Sequence, residues 1–159
     1  MRIDRRRLLQ TVAILATLSA YATIVLGGTV RGMEAGLACP DWPLCNGHLI
    51  PDVSDPQVAV EYAHRLVAAL TSLFILTMLV VALLWFRSEV RLVMFSVASM
   101  ALLIAQVGFG ALTISSNLEG VIVTIHLALG TATFASALIV AFLALRPPPL
   151  TITPVPPTA

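Results

Sequence analysis

The stretch Glu61-Tyr62-Ala63-His64-Arg65 stands directly before a long uncharged run, so it places three ionisable side chains where the chain enters an apolar environment. Glu61 and His64 are three positions apart and would share one face of a helix. Ionisable groups are costly to bury in a membrane, and they usually face the interior of a helix bundle. His126 lies in another apolar run. The central question is whether His64 and His126 face one site.

The composition indicates a polytopic membrane protein. Of the 159 residues, 58% are hydrophobic and 11% are charged, and the mean hydropathy is +0.97. A soluble domain of this length cannot bury so much apolar surface, because small domains bury only part of their area. The charges lie at the ends of the apolar runs and leave no basic face. Nucleic-acid binding is therefore excluded.

Four apolar runs predict an all-α fold, a transmembrane bundle of four helices that occupies residues 1–146, because each run has the ~20 residues that cross a bilayer. The helices are predicted at about 8–28, 58–86, 91–114 and 120–145. The proline-rich segment 147–159 is predicted to be extended and disordered. The first run could instead be a signal peptide cleaved near Ala20-Tyr21-Ala22, but apolar residues continue past that site and favour a retained helix.

The arginines predict which side of the membrane each connection faces. One side carries the N-terminal arginines with Arg87, Arg91 and Arg146, whereas the other carries only Arg31 and Arg65. Arginine-rich connections stay in the cytoplasm. Both termini are therefore predicted to be cytoplasmic, in a multi-pass protein of the cell membrane whose cysteine-containing loop is extracytoplasmic.

The two histidines are predicted to lie at one depth. If the helices start near Val58 and Gly120, each histidine comes six residues in, or ~9 Å at 1.5 Å per residue. Two imidazoles at one level on parallel helices can supply both axial ligands of a haem iron. The alternative is a hydrogen-bonded core histidine at each position, but the cost of burial in a membrane favours ligation. A metal ion without haem is less favoured, because no cysteine, aspartate or third histidine stands at that level; His48 lies in the outer loop.

Other polar groups on the extracytoplasmic side of the predicted bundle each allow two interpretations. Glu61 is either a carboxylate stabilised by the helix N-terminus or a proton donor and acceptor beside a bound group. Arg31 and Arg65 either snorkel to the interface or bind carboxylates of the cofactor, such as haem propionates. Cys39 and Cys45 either form a disulfide that tightens the loop or act as a redox-active dithiol.

Five segments together resemble the haem A synthase family, in that family's order and spacing. They cover roughly Gly27 to Thr133, and the CPDWPLCNG and EYxHR segments are the most specific. The segments are Gly27-Gly28-Thr29-Val30-Arg31, Cys39 to Gly47, Glu61 to Arg65, Gln106-Val107-Gly108-Phe109-Gly110-Ala111-Leu112-Thr113 and His126-Leu127. Glycines such as those of the fourth segment permit close approach of a backbone or a flat ligand. The family's fold is two similar four-helix bundles in one chain, and this chain resembles the N-terminal bundle.

The resemblance implies an activity and a role for each site residue. The activity is the oxidation of one methyl group of haem O to a formyl group in successive steps, for terminal oxidase biogenesis. His64 and His126 would be the axial ligands of the haem iron, Glu61 the catalytic carboxylate, and Cys39–Cys45 a disulfide. In the family, the N-terminal half is taken to bind haem O, and a haem B in the other half helps to supply electrons.

The partners implied are haem O as the substrate, with haem B as the other candidate for the bound group, an unidentified electron donor, and membrane lipid. Further copies of the chain are expected to associate, as a homodimer in preference to a trimer, and haem O synthase and terminal oxidase subunits are further candidate partners.

One alternative function is that of a non-catalytic bis-histidine haem protein, either an electron carrier or an oxidase assembly factor. Glu61 argues against it, because such a protein needs no acid at that position. A quinone-linked thiol oxidoreductase ranks last, because the sequence has neither a second cysteine pair nor a CxxC motif.

Overall fold

Four long helices make up most of the computed structural model, which describes residues 4–146. In chain order they are α1 (Arg5–Gly32), α2 (Pro56–Trp85), α3 (Val90–Ser115) and α4 (Gly120–Leu145). Each is long and apolar enough to cross a membrane. The predicted all-α fold with four membrane-spanning helices is confirmed, whereas the disorder predicted for 147–159 lies outside the described residues.

Aspartate caps start the first two helices earlier than the apolar runs predicted. Asp4 Oδ1 accepts hydrogen bonds from two backbone N–H groups of the first turn, at 3.0 and 3.2 Å, and α1 begins at Arg5. Asp55 Oδ1 accepts from the N–H of Gln57 at 2.8 Å and directly precedes Pro56, whose fixed φ suits the first helical position. Because these caps satisfy N–H groups that lack a partner inside the helix, polar residues next to the apolar runs join the helices.

The helices form a ring in which each contacts two neighbours. α1 packs against α2 and α4, and α3 packs against the same two helices. α2 and α4 are therefore diagonal across the bundle, and they run parallel because successive helices reverse direction. Both begin at the end of the bundle that carries the long loop 33–55.

Arg6 ties three elements together at the opposite end of the bundle. Its Nε donates to the carbonyl oxygen of Ala144 at 3.0 Å, and its Nη2 donates to those of Leu143 (3.2 Å) and Arg146 (3.1 Å). Its Nη1 forms an ion pair with Glu89, in the connection between α2 and α3, at 2.6 Å. The last carbonyls of a helix have no partner within it, so Arg6 satisfies the end of α4 while fixing the start of α1 against it.

The apolar core fills only the half of the bundle near Arg6. It consists of Leu9, Val12, Ala13, Ala16, Ile75, Met78, Val81, Ala82, Leu92, Leu103, Val140, Ala141 and Ala144. In the other half, the helical stretches 21–29, 62–70, 104–115 and 120–132 contain no buried residue among those described. That outer half, which contains both His64 and His126, therefore has no packed core of side chains.

Large apolar side chains face outward from every helix. Leu18, Leu66, Ile104, Val121 and Phe142 are 58–66% exposed. Water would penalise such exposure on all four helices, whereas lipid tails would not. The chain is therefore a multi-pass membrane protein, and the side of the membrane that its loop faces stays a prediction.

Candidate functional site

A backbone carbonyl of α1 fixes the ring of His64. Its Nδ1 lies 3.1 Å from the carbonyl oxygen of Thr23. A carbonyl oxygen only accepts, so Nδ1 carries the proton and donates, and Nε2 keeps its lone pair. Gly27 lies one turn beyond Thr23, where an added Cβ would stand 3.1 Å from His64 Cε1. The glycine lets α1 approach the imidazole, and α1 continues through it to Gly32, beyond its predicted end.

His126 is held in the same way by α3. Its Nδ1 lies 3.1 Å from the carbonyl oxygen of Gln106, and a Cβ added to Gly110 would stand 3.1 Å from His126 Cε1. Each carbonyl and its glycine are four positions apart along their helix, as in α1. The α1–α2 and α3–α4 hairpins therefore repeat one arrangement, in which a carbonyl and a glycine of the first helix orient a histidine of the second.

The two histidines lie at the same end of the bundle. His64 comes eight residues after Pro56 and His126 six residues after Gly120, ~12 Å and ~9 Å along their parallel helices. Both therefore stand in the half of the bundle that has no packed core.

The side-chain amide of Gln106 lies within hydrogen-bond distance of the unprotonated Nε2 of His126. Its Nε2 is 3.4 Å from His126 Nε2, and Gly130 gives it room, since a Cβ there would stand 3.0 Å from that amide nitrogen. The Oε1 of Gln106 is buried without a hydrogen-bond partner among the described residues. A buried acceptor left unpaired costs free energy, so this oxygen marks a polar position still open to a bound group.

These features fit a haem held between two imidazoles. A histidine that ligates a metal usually donates its other ring N–H to a carbonyl or carboxylate, which orients the ring, and both histidines do so here. Both histidines stand in the outer half of the bundle, where the surrounding helical stretches have no buried residue among those described. Residues 4–146 contain no group of three or more His, Cys, Asp or Glu side chains that could hold a bare metal ion. A surface pocket of about 500 Å³ near Ile139 and Arg146 lies at the other end and includes neither histidine.

Glu61 and Arg65 form a buried ion pair next to this region. Glu61 is 6% exposed, and its Oε1 accepts from Arg65 Nε at 2.7 Å. Arg65 Nη1 also donates to the carbonyl oxygens of Asp41 (2.7 Å) and Leu44 (2.6 Å), and Nη2 donates to that of Cys39 (2.7 Å). Since a guanidinium carries five N–H groups, one remains for any other acceptor.

The outer loop contains a disulfide-closed ring. Cys39 and Cys45 are joined by a disulfide, which confirms the predicted pairing. The carboxylate of Asp41 accepts from the N–H groups of Asn46 (2.6 Å) and Gly47 (2.8 Å), both of which have positive φ. These hydrogen bonds, chiefly the one from Gly47, hold the pKa of Asp41 below its ordinary value. The ring and the turn after it therefore form one compact unit.

The remaining predicted residues lie at the surface. Arg31 is exposed in the last turn of α1, and His48 is exposed in the outer loop, where its backbone pairs with that of Cys45. The sequence did not reveal the carbonyl acceptors at Thr23 and Gln106, because every residue has a carbonyl. The repeated spacing of a glycine four positions after each acceptor is the signal that would have indicated them.

Comparison with known proteins identifies a family. The model of the COX15-CtaA family, described as cytochrome oxidase assembly protein, matches residues 10–59 and 52–157. The haem A synthase of Exiguobacterium sibiricum is 28% identical over 138 residues, which cover 86% of this chain and 46% of the relative. The haem A synthase of Lysinibacillus sphaericus is 32% identical over 146 residues, with coverages of 89% and 46%.

A third relative has a different name. The protoheme IX farnesyltransferase 1 of Natronomonas pharaonis is 36% identical over 115 residues, which cover 72% of this chain and 23% of the relative. The matched segment is thus a minor part of that longer protein. This chain spans less than half the length of each of these three relatives.

Proposed function

Since the chain belongs to the COX15-CtaA family of cytochrome oxidase assembly proteins, the haem A synthase family, we propose that its bundle binds haem O and oxidises one methyl group of that haem to a formyl group. The observation that carries this proposal is the matched setting of His64 and His126. Each imidazole donates from Nδ1 to a carbonyl and therefore carries a lone pair on Nε2. At His126 a bound metal would replace the contact of that nitrogen with Gln106 Nε2.

The residues around the histidines hold the rings in place. His64 and His126 would hold the haem iron, and the carbonyls of Thr23 and Gln106 keep both rings in the ligating tautomer. Haem O supplies the iron and the methyl group that is oxidised. The exposed Arg31, and the remaining N–H of Arg65, are the proposed partners of the haem propionates.

Glu61 is the proposed acid–base group. Turning a methyl into a formyl group exchanges two hydrogens of one carbon for an oxygen atom. This is a four-electron oxidation whose oxidant is external to the chain, and protons released at that carbon need an acceptor. Glu61 is the acidic side chain that is buried among the described residues, and it lies three positions before His64 on α2. Its Oε1 is held by Arg65, which keeps the carboxyl group at a defined place near the outer end of the bundle.

The relative named protoheme IX farnesyltransferase supports haem O as the substrate. A farnesyltransferase acting on protohaem IX makes a farnesylated haem, which is the class of molecule proposed to enter this bundle. Because a segment similar to this chain lies within that longer protein, we also propose that this chain works next to the enzyme that makes haem O. The arginine distribution supports an extracytoplasmic position for the cysteine loop.

Identification of the bound haem tests the function. The full chain is purified from cells that make haem O, and its haem is extracted and identified by mass spectrometry. We expect haem O together with its hydroxylated and formyl forms. In the variant Glu61→Gln we expect bound haem O without formyl product. Haem B alone in the unaltered chain would contradict the proposal and favour the electron carrier or assembly factor. Formyl product at the normal rate from Glu61→Gln would show that Glu61 is only a carboxylate stabilised by the helix N-terminus.

Absorption spectra test the ligands. His64→Ala and His126→Ala should each lose the low-spin bis-histidine spectrum, because the iron keeps at most one protein ligand. His48→Ala is the matched control, since it removes an exposed imidazole from the outer loop, and its spectrum should be unchanged. An unaltered spectrum in either of the first two variants would contradict the shared site.

A further inference from the structure

One guanidinium connects the disulfide-closed ring to the proposed acid–base group. Arg65 is 14% exposed at its side chain, and it makes four hydrogen bonds of 2.6–2.7 Å, one to the Glu61 carboxylate and three to loop carbonyls. Charge-assisted hydrogen bonds of this length are among the stronger ones in proteins. Arg65 therefore bridges α2 and the outer loop rather than lying free at the membrane interface.

The disulfide gathers the three carbonyls that Arg65 binds. They belong to Cys39, Asp41 and Leu44, all within the ring that the Cys39–Cys45 bond closes. Both cysteines are buried, and the turn that follows the ring is held by the carboxylate of Asp41. Opening the ring would let these carbonyls separate, because the cross-link that limits the conformations of the segment would then be lost.

The position of Glu61 depends on this arrangement. Its carboxylate is buried and hydrogen-bonded to Arg65 Nε, whereas the other two nitrogens of the same rigid, planar group are fixed by the loop. A loop that moved would rotate or withdraw the guanidinium. Glu61 would then lose the hydrogen bond that fixes the direction of its carboxylate.

We propose that Arg65 is a positioning residue that couples the oxidised Cys39–Cys45 ring to Glu61, so that reduction of the disulfide releases the Glu61 carboxylate from the ion pair that holds it. In its consequence for catalysis this coupling rests on the proposed function. The coupling itself is a property of the chain without bound haem. Reduction by a dithiol such as dithiothreitol supplies two electrons and two protons, which turn the disulfide into two thiols while the dithiol becomes a cyclic disulfide.

The equilibrium of the disulfide measures the coupling. The purified full chain in detergent is equilibrated with mixtures of reduced and oxidised dithiothreitol, and its free thiols are alkylated and counted by mass. Because whatever stabilises the closed ring also opposes reduction, Arg65→Gln should shift the equilibrium toward the dithiol about tenfold, or ~30 mV for this two-electron couple. Arg31→Gln, which removes an exposed arginine near the same loop, should leave the equilibrium unchanged.

A double-mutant cycle separates positioning from a general loss of structure. Glu61→Gln should shift the disulfide equilibrium about twofold or more in the unaltered background, and should have no effect once Arg65→Gln is present. Arg65→Lys should give an intermediate shift, because an ammonium cannot make the same planar set of hydrogen bonds. If Arg65→Gln does not fold, Arg65→Lys takes its place in the cycle, and the effect of Glu61→Gln should then be reduced.

Each result has a definite meaning. An unchanged disulfide equilibrium in the Arg65 variants, or an equal effect of Glu61→Gln with and without Arg65, would overturn the coupling. The measurement needs neither haem nor product, so it is independent of the proposed function. A chain that showed the coupling but made no formyl haem would refute the proposed activity alone.

Discussion

At the scale of single residues, two glycines decide whether the histidines can take their positions. Added Cβ atoms at Gly27 and Gly110 would each stand 3.1 Å from a histidine Cε1, which is closer than carbon atoms normally pack. A methyl group at either position would push the imidazole away from its helix. The neighbouring glycines Gly28 and Gly108 have nothing within 4 Å of an added Cβ, so the chain provides its own controls.

We therefore predict that Gly27→Ala and Gly110→Ala each lower haem affinity by about tenfold or more, as is common when a group that orients a metal ligand is disturbed. Gly28→Ala and Gly108→Ala should bind haem as the unaltered chain does, and should be slightly more helical because alanine favours a helix over glycine. Titration of the haem-free protein with haem, followed by absorbance, measures the affinities. Equal affinities in all four variants would show that the close contacts at the histidines do not matter for binding.

Asp41 makes the outer loop sensitive to acid. Hydrogen bonds to its carboxylate, above all from the Gly47 N–H, hold its pKa in the folded protein below the ordinary value. A lowered folded pKa means that this contribution to loop stability is complete above the ordinary pKa of ~3.9. It is then lost as the pH falls through the lowered value.

We expect the Cys39–Cys45 disulfide to become more reactive as the pH falls through that acidic range. The measurement is the rate of reduction by a phosphine, divided by the rate for a short unstructured disulfide peptide at the same pH, since phosphines also titrate. Asp41→Asn should give a raised ratio that does not depend on pH. The control is Asp52→Asn, because Asp52 lies outside the ring and accepts a hydrogen bond from the N–H of Ser54. This variant should keep the pH profile of the unaltered chain. A reduction rate that does not change with pH in the unaltered chain would contradict the role of Asp41.

At the scale of helices, the sequence predicted the number of elements and missed part of their ends. The lengths of the apolar runs indicated the four helices, but α1 and α2 begin earlier than the apolar runs do, because Asp4 and Asp55 cap them. A cap is a local hydrogen bond that hydropathy does not report. The disulfide was predicted from the cysteine motif of the family that the sequence resembles. The hydrogen bonds from Arg65 to three loop carbonyls were not predicted, because they depend on how a loop of irregular backbone folds, which no periodicity encodes.

The same limit applies to Arg6, whose role only the packed bundle reveals. As one of several N-terminal arginines it indicated topology, yet in the bundle it binds three carbonyls at the end of α4 and pairs with Glu89. We predict that Arg6→Ala lowers the free energy of unfolding by about 2–3 kcal/mol, because hydrogen bonds to a charged group contribute more than neutral ones. Arg7→Ala removes only an exposed pair with Asp4 and should change it by less than about 1 kcal/mol.

Unfolding in mixed detergent, followed by circular dichroism, measures both variants. The absorption spectrum of bound haem should stay unchanged in Arg6→Ala, because Arg6 lies at the end of the bundle opposite the histidines. Equal stability of the two variants would show that the carbonyls at the end of α4 find other partners when Arg6 is absent.

At the scale of the whole molecule, the bundle divides into a packed half and an open half. The core near Arg6 holds the four helices together, and this leaves the outer half free to bind a ligand without carrying the stability of the fold. The two hairpins orient their histidines identically, but Glu61 and Arg65 occur only on the first of them; Val123 and Leu127 take the corresponding positions beside His126. The proposed site is therefore symmetric at the two imidazoles and asymmetric in the carboxylate and the guanidinium of the first hairpin.

The last prediction concerns assembly. The described residues form one bundle with one histidine pair. We expect identical chains to associate, most simply as a dimer about a two-fold axis, because closed symmetry is the usual outcome for identical subunits. Apolar side chains exposed on all four helices give lipid-facing surfaces on which a second copy can pack. Both haem sites of such a dimer would be equivalent at the outset.

Mass measurement in a mild detergent that retains lipid decides the oligomeric state, and the ratio of haem to chain should be one in the dimer. A second measurement uses two tagged chains expressed together, one carrying Glu61→Gln and the other unaltered. If each bundle holds its own acid–base group, the mixed dimer should make about half of the normal amount of formyl haem. A monomer that makes haem A at the normal rate would show that one bundle is sufficient, and the proposed association would then be wrong.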